Sequence, residues 1–174
     1  MVNNKNSLIS LYSQMKEFLL LILFSIIIFV VTSYIDHNEY QYILVAFLIF
    51  FSLVKVHILI SKTLEKMKTL TRSNHNANHI LFFSVVIIFF INFSFTLDYM
   101  CVSEIYTDSF FGLNLNQPFF FKFFDLMYFS IVTFTTVGYG DIFPVGKAVK
   151  ILTIIEMTTA FITIVFIISR YTKK

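Results

Sequence analysis

The chain has 174 residues, of which 57% are apolar and 13% charged, with a mean hydropathy of +0.81 and a formal net charge of +3. Soluble domains usually carry about 25% charged residues, and 24 phenylalanines exceed what one soluble core of this size hides. Lipid is therefore the expected solvent for much of the surface, and the small positive charge implies no nucleic-acid partner. Cys101 is the single cysteine, which excludes an intrachain disulfide and a multi-cysteine metal site. A free thiol is the simple reading and an intersubunit disulfide the alternative.

A helix needs about 20 apolar residues to cross the hydrocarbon. Lys5 and Lys16 precede the first apolar run, from about Phe18 to Ile35. That run exceeds the roughly 7–15 residues of a signal core and no small-x-small cleavage site follows it, so it reads as a retained span. "DHNE" (Asp36 to Glu39) is expected to turn tightly into a second span, Tyr40 to Ile60. Ser61 to His79 reads as a polar linker, in which His75 and His79 are too sparse for a metal site. A third span runs from Ile80 to Leu97 and a fourth from Ala148 to Tyr171. Between them, Pro118 to Val137 is apolar but interrupted by Lys122 and Asp125, and is too short and polar at its start to cross. No internal repeat is visible.

Charge sets the orientation. Lys5, Lys16, Lys62, Lys66, Lys68, Arg72, Arg170, Lys173 and Lys174 lie on one side, nine of 13 basic residues. Asp36, Glu39, Asp98, Glu104, Asp108, Asp125 and Asp141 fall on the other, seven of ten acids. The positive-inside rule then makes both termini cytoplasmic in a multi-pass protein of the plasma or cytoplasmic membrane. Lys55 and His57 fall near the cytoplasmic end of the second span, where a lysine is expected to snorkel to the interface. The linker's basic residues read as a solvated loop, with anionic lipid as an alternative partner. No span repeats arginine or lysine every third residue, so an Arg-rich voltage sensor has no support.

"TFTTVGYGDIFP" (Thr133 to Pro144) holds two of the four glycines, Gly138 and Gly140, around Tyr139. Glycine there licenses backbone angles that side chains disfavour, and irregular backbone at membrane depth is tolerated only when buried or lining a watery cavity. The preceding Phe123 to Thr135 lacks glycine and proline and reads as a short re-entrant helix, its C-terminal partial negative charge favouring a cation. "TTVGYGD" (Thr135 to Asp141) resembles the signature of the tetrameric pore-loop potassium channels, with a pore helix before it and an inner helix after it. The resemblance covers roughly Ile80 to Tyr171, and small bacterial members with two extra N-terminal spans are similar in plan. It implies an all-α membrane protein: four transmembrane helices, a re-entrant pore helix and a selectivity-filter loop, assembled as a homotetramer. Residues 1–79 would be the two extra spans and linker, and residues 80–174 the pore module.

By the same resemblance, the carbonyls of Thr136, Val137, Gly138 and Tyr139, with the Thr136 hydroxyl, replace the hydration shell of K+, and Gly140 completes the filter. Tyr128 and Asp141 occupy positions that hydrogen-bond behind the filter, with Thr135 at its base. Phe161, Ile164 and Ile168 fall on the cavity side of the inner helix. Two departures stand out: Val132 replaces a glutamate found in some bacterial pore helices, and Ala160 sits at the inner-helix hinge glycine. Glu156, roughly ten residues into the inner helix, points about 110° away from the cavity residues. A filter-supporting hydrogen bond to Ser130 and Thr133 is expected, with permeation or pH gating as the alternative. "FFGLNLNQP" (Phe110 to Pro118) reads as an outer loop. The short tail after Tyr171 leads us to expect no cytoplasmic regulatory domain. The function expected is passive potassium conduction without catalysis or cofactor, K+ being the permeant. The alternatives are a membrane subunit of a potassium uptake transporter, disfavoured by the single complete loop, and a non-conducting channel-like subunit.

Overall fold

The computed structural model describes residues 2–34, 37–72, 77–114 and 116–171. Five helices dominate them: α1 (Val2–Tyr34), α2 (His37–Arg72), α3 (Ala77–Ile105), α4 (Phe119–Phe134) and α5 (Lys147–Tyr171). Strands β1 (Phe110–Phe111) and β2 (Phe143–Pro144) pair antiparallel, with Phe110 opposite Pro144 and Phe111 opposite Phe143. The chain is an all-α integral membrane protein. Parts of α2 (Tyr40–Glu65), α3 (Leu81–Ile105) and α5 (Lys147–Ser169) are long and apolar enough to cross a bilayer. The apolar part of α1, Phe18–Tyr34, sits at the lower end of the roughly 17–25 residues that a span requires.

The core is built around α3, which packs against all four other helices. From Phe90 to Ser103 only Phe93 escapes full burial. Apolar faces alone do not drive helices together in lipid, where tails are as apolar as leucine; small and polar side chains at the contacts do. α3 supplies them: Asn92, Ser94, Thr96, Asp98 and Ser103 are all buried. The lipid-side faces of the outer helices instead carry exposed bulk such as Leu20, Phe24, Ile43 and Phe50.

The structure corrects several expectations. Lys55 does not snorkel. It is 0% exposed, and its ammonium meets both carboxylate oxygens of Asp98 at 2.7 and 2.8 Å. Asp98, counted above with the outer-side acids, therefore sits inside the helix bundle. A charge with a partner inside the protein has no reason to reach for water, and sequence distance hid a partner on another helix. The expected linker is largely helix, since α2 continues to Arg72 and α3 starts at Ala77. Residues 73–76, with His75, lie outside the described residues, as does the side chain of His79. Of the expected "DHNE" turn, His37, Asn38 and Glu39 already belong to α2, and Asp36 lies outside the described residues. Cys101 is a free thiol buried within the protomer.

Candidate functional site

The site begins with α4. Pro118 precedes the helix, and its carbonyl accepts the amides of Phe121 and Lys122, so the helix starts four residues before the expected Phe123. Proline suits this boundary because its fixed φ cannot continue a helix backwards and the missing N–H is not needed there. At 16 residues and about 1.5 Å per residue, α4 is shorter than the roughly 30 Å hydrocarbon, so it enters the membrane without crossing. Two polar links hold its outer half: Lys122 pairs with Glu104 of α3 at 2.5 Å, and Gln117 donates to Asp125 at 2.7 Å.

A helix ends with four carbonyls lacking intrahelical partners. Here the residues that follow take up three of them. The amides of Thr135 and Thr136 donate to Ile131 and Thr133, and those of Val137 and Gly138 both reach Val132 at 2.9 and 3.3 Å. The amides at the start of the glycine motif are thus tied to the end of α4. Thr135 caps the helix, its hydroxyl donating to Ile131 at 2.8 Å.

The backbone of the motif alternates. Thr136, Gly138 and Gly140 have positive φ of 58°, 53° and 80°, while Val137 and Tyr139 do not. Alternating the sign of φ turns successive peptide planes the same way, so amides gather on one side of the strand and carbonyls on the other. The amides of Thr136, Val137 and Gly138 point back to the end of α4, as their hydrogen bonds require. Glycine was expected to permit these angles, but Thr136 was not expected to share them. A β-branched residue in the left-handed region is a genuine outlier, costing about 1–2 kcal/mol. Such strain persists where the surroundings over-determine it, and it clusters at functional sites. Thr135 to Asp141 are all exposed on the protomer, Tyr139 by 72%.

The flanks are supported. The Tyr128 hydroxyl donates to Asp141 at 2.8 Å, and the Tyr128 and Tyr139 rings stack with planes 2° apart. This donation holds the Asp141 carboxyl below its ordinary range. Glu156, 0% exposed, accepts the Ser130 hydroxyl at one oxygen and the Tyr99 hydroxyl at the other, both at 2.5 Å. Ser130 also lies 3.2 Å from the Asn92 amide oxygen. Two O–H donors satisfy a carboxyl group that no cation among the described residues neutralises. Ser130 is thus where expected, whereas Tyr99 of α3 takes the place expected for Thr133.

Sequence reasoning missed Tyr99 because α3 read only as a span; an amphipathic phenol beside an acid on one helix was the available signal. It also missed Gly112, whose φ is +80° and where a Cβ would sit 2.0 Å from the Asp141 carbonyl oxygen. The outer loop is not merely a loop: β1 lies against β2 just after the motif, with Phe111 and Phe143 stacked at 4.7 Å. In α5, Phe161, Ile164 and Ile168 share the exposed stripe that also carries Ile154, Met157 and Val165. Ala160 is fully buried and the helix continues through it.

The family model described as "Ion channel" matches residues 80–174, more than half of the chain. The chain belongs to this ion-channel family. The match begins with α3 and takes in α4, the glycine motif and α5, and the family comprises channels rather than enzymes. "Two-pore potassium channel 4" of Arabidopsis thaliana is 41% identical over 71 residues, covering 41% of this chain and 23% of that protein. "Potassium channel K2" of Plasmodium falciparum (isolate 3D7) is 46% identical over 55 residues, covering 29% of this chain and 4% of that protein. This chain therefore matches less than a quarter of either relative's length. No solved structure matches the chain.

Proposed function

We propose that the protein conducts K+ passively and selectively through a pore that four copies of this chain enclose. The observation carrying the proposal is the alternating backbone at Thr136, Gly138 and Gly140 with the amides of Thr136, Val137 and Gly138 tied back to α4. That arrangement leaves carbonyls as the groups available on the far side. Stacked carbonyl rings replace the hydration shell of a potassium ion, and Thr136, Val137, Gly138 and Tyr139 would supply them, with the Thr136 hydroxyl at the inner end. The α4 C-terminus adds partial negative charge behind the ring. Tyr128, Asp141 and Glu156 hold the filter's scaffold, and Phe161, Ile164 and Ile168 line the water-filled approach. The Arabidopsis relative is named a two-pore channel; a chain with one glycine motif instead needs four copies to close one ring. In this reading residues 80–174 are the pore module, residues 1–79 an attached pair of spans and linker, and both termini are cytoplasmic.

Purified full-length protein in liposomes, loaded alternately with K+ and Na+, tests the reading. Rapid K+ efflux with little Na+ efflux is expected. Equal flux of both ions, or none of either from correctly assembled protein, would overturn it.

A further inference from the structure

The ion pair Lys55–Asp98 joins α2, which lies before the family match, to α3, which lies inside it. The Lys55 ammonium has three N–H donors and finds acceptors on two other helices: the Asp98 carboxylate, the Ser94 carbonyl at 3.3 Å and the Ser25 hydroxyl at 3.3 Å. Ser52 of α2 donates to the same carboxylate at 2.9 Å. Side chains from α1, α2 and α3 therefore converge on one buried charge pair. A buried pair is not by itself a source of net stability, because desolvation opposes the attraction. Its geometry does dictate register: any slide of α2 along α3 abandons a charge away from water.

The next residue on α3, Tyr99, faces the opposite network. Its ring packs edge-on to Phe129 of α4 at 5.1 Å and to Phe110 of β1 at 5.7 Å. Its hydroxyl reaches Glu156 of α5, which in turn holds Ser130 of α4. Two residues beyond Ser130, the Val132 carbonyl receives the amides of Val137 and Gly138. Two sets of polar and aromatic contacts, joined by the backbones of α3 and α4, thus link the first two helices to the glycine motif.

We propose that Lys55 and Asp98 are positioning residues for the filter: through them α1 and α2 hold α3 in register, and α3 holds the end of α4 through Tyr99, Glu156 and Ser130. The first two helices are then a regulator of filter geometry rather than passive packing against lipid. The inference rests on the filter reading for its functional meaning, but its structural content is separable.

Hydrogen–deuterium exchange of the full-length protein in lipid nanodiscs is the test, read alongside K+ and Na+ flux. Lys55→Met should speed exchange across Thr133–Gly140 by about tenfold, as expected for losing a buried polar partner, and lower the K+ to Na+ flux ratio. The swapped pair Lys55→Asp with Asp98→Lys should restore both. Tyr99→Phe should speed exchange at Thr133–Gly140 while leaving α2 at its parental rate. Where Lys55→Met does not assemble, the swapped pair and Tyr99→Phe decide. Faster exchange confined to α1 and α2 would overturn the proposal, as would a folded swapped pair that stays uncorrected. Propagated exchange without K+ flux from the parent protein would uphold the positioning and remove the channel reading alone.

Discussion

Gly138 and Glu156 illustrate two different kinds of constraint. Beyond its chain neighbours, no atom of the protomer lies within 4 Å of a Cβ placed on Gly138, yet its φ is +53°. Gly138→Ala therefore costs conformation and not space, about 1–2 kcal/mol per subunit. Loss of K+ selectivity with oligomer size unchanged is expected, measured by ion flux beside native mass spectrometry. Glu156→Gln keeps an acceptor for one hydroxyl and a donor for the other, because hydroxyls both give and take hydrogen bonds. Parental flux is expected from it, whereas Glu156→Ala should cost about 1–3 kcal/mol for the abandoned partners, read as a lower thermal unfolding midpoint. Asp141 titrates below the ordinary carboxylate value because its charged form accepts the Tyr128 hydroxyl. That contribution is present above the unfolded pKa of about 3.9 and is lost as pH falls through the lowered folded pKa. Tyr128→Phe should raise the Asp141 titration toward the ordinary value, followed by carboxyl carbon NMR. Of these residues Gly138 and Glu156 were legible as candidates, since a glycine at an apolar break and an acid inside a span are conspicuous. Tyr128 and Asp141 were marked only by the resemblance to the pore-loop channels. Thr136's positive φ was not legible, because nothing in a threonine announces an angle that its side chain opposes.

Helices were legible as existing but not in their limits. Apolar length marks a span, while the end of the lipid-facing run says nothing about where helical hydrogen bonding stops; α2 accordingly runs past its apolar part to Arg72. α4 was readable as re-entrant because Lys122 and Asp125 interrupt it, although their partners Glu104 and Gln117 lie outside it. The short β1–β2 ladder escaped reading, since two-residue strands carry no alternation to detect. α5 passes straight through Ala160, which is fully buried. Ala160→Gly should lower stability by about 1 kcal/mol in each helix, measured by thermal unfolding in detergent; an unchanged midpoint would mean that packing around residue 160 absorbs the loss.

For the whole molecule, the exposed glycine motif, Thr135 to Asp141, and the exposed α5 stripe at Ile154, Met157 and Phe161 argue for assembly. Native mass spectrometry of gently solubilised protein should record four copies, and a monomer that still conducts K+ would refute the ring. The sequence by itself determined the solvent, the helical class and the place of the glycine motif. These depend on composition, run length and backbone permissiveness, which are properties of short stretches of chain. Only the tertiary structure decided who partners whom: Lys55 with Asp98, Glu156 with Tyr99, and the Gly112 backbone against Asp141. Each joins residues that are tens of positions apart, and a buried polar group is stable only where the fold brings its partner. A lysine in an apolar run looks the same whether it reaches outward to water or inward to an acid, and α3 is what settles it here.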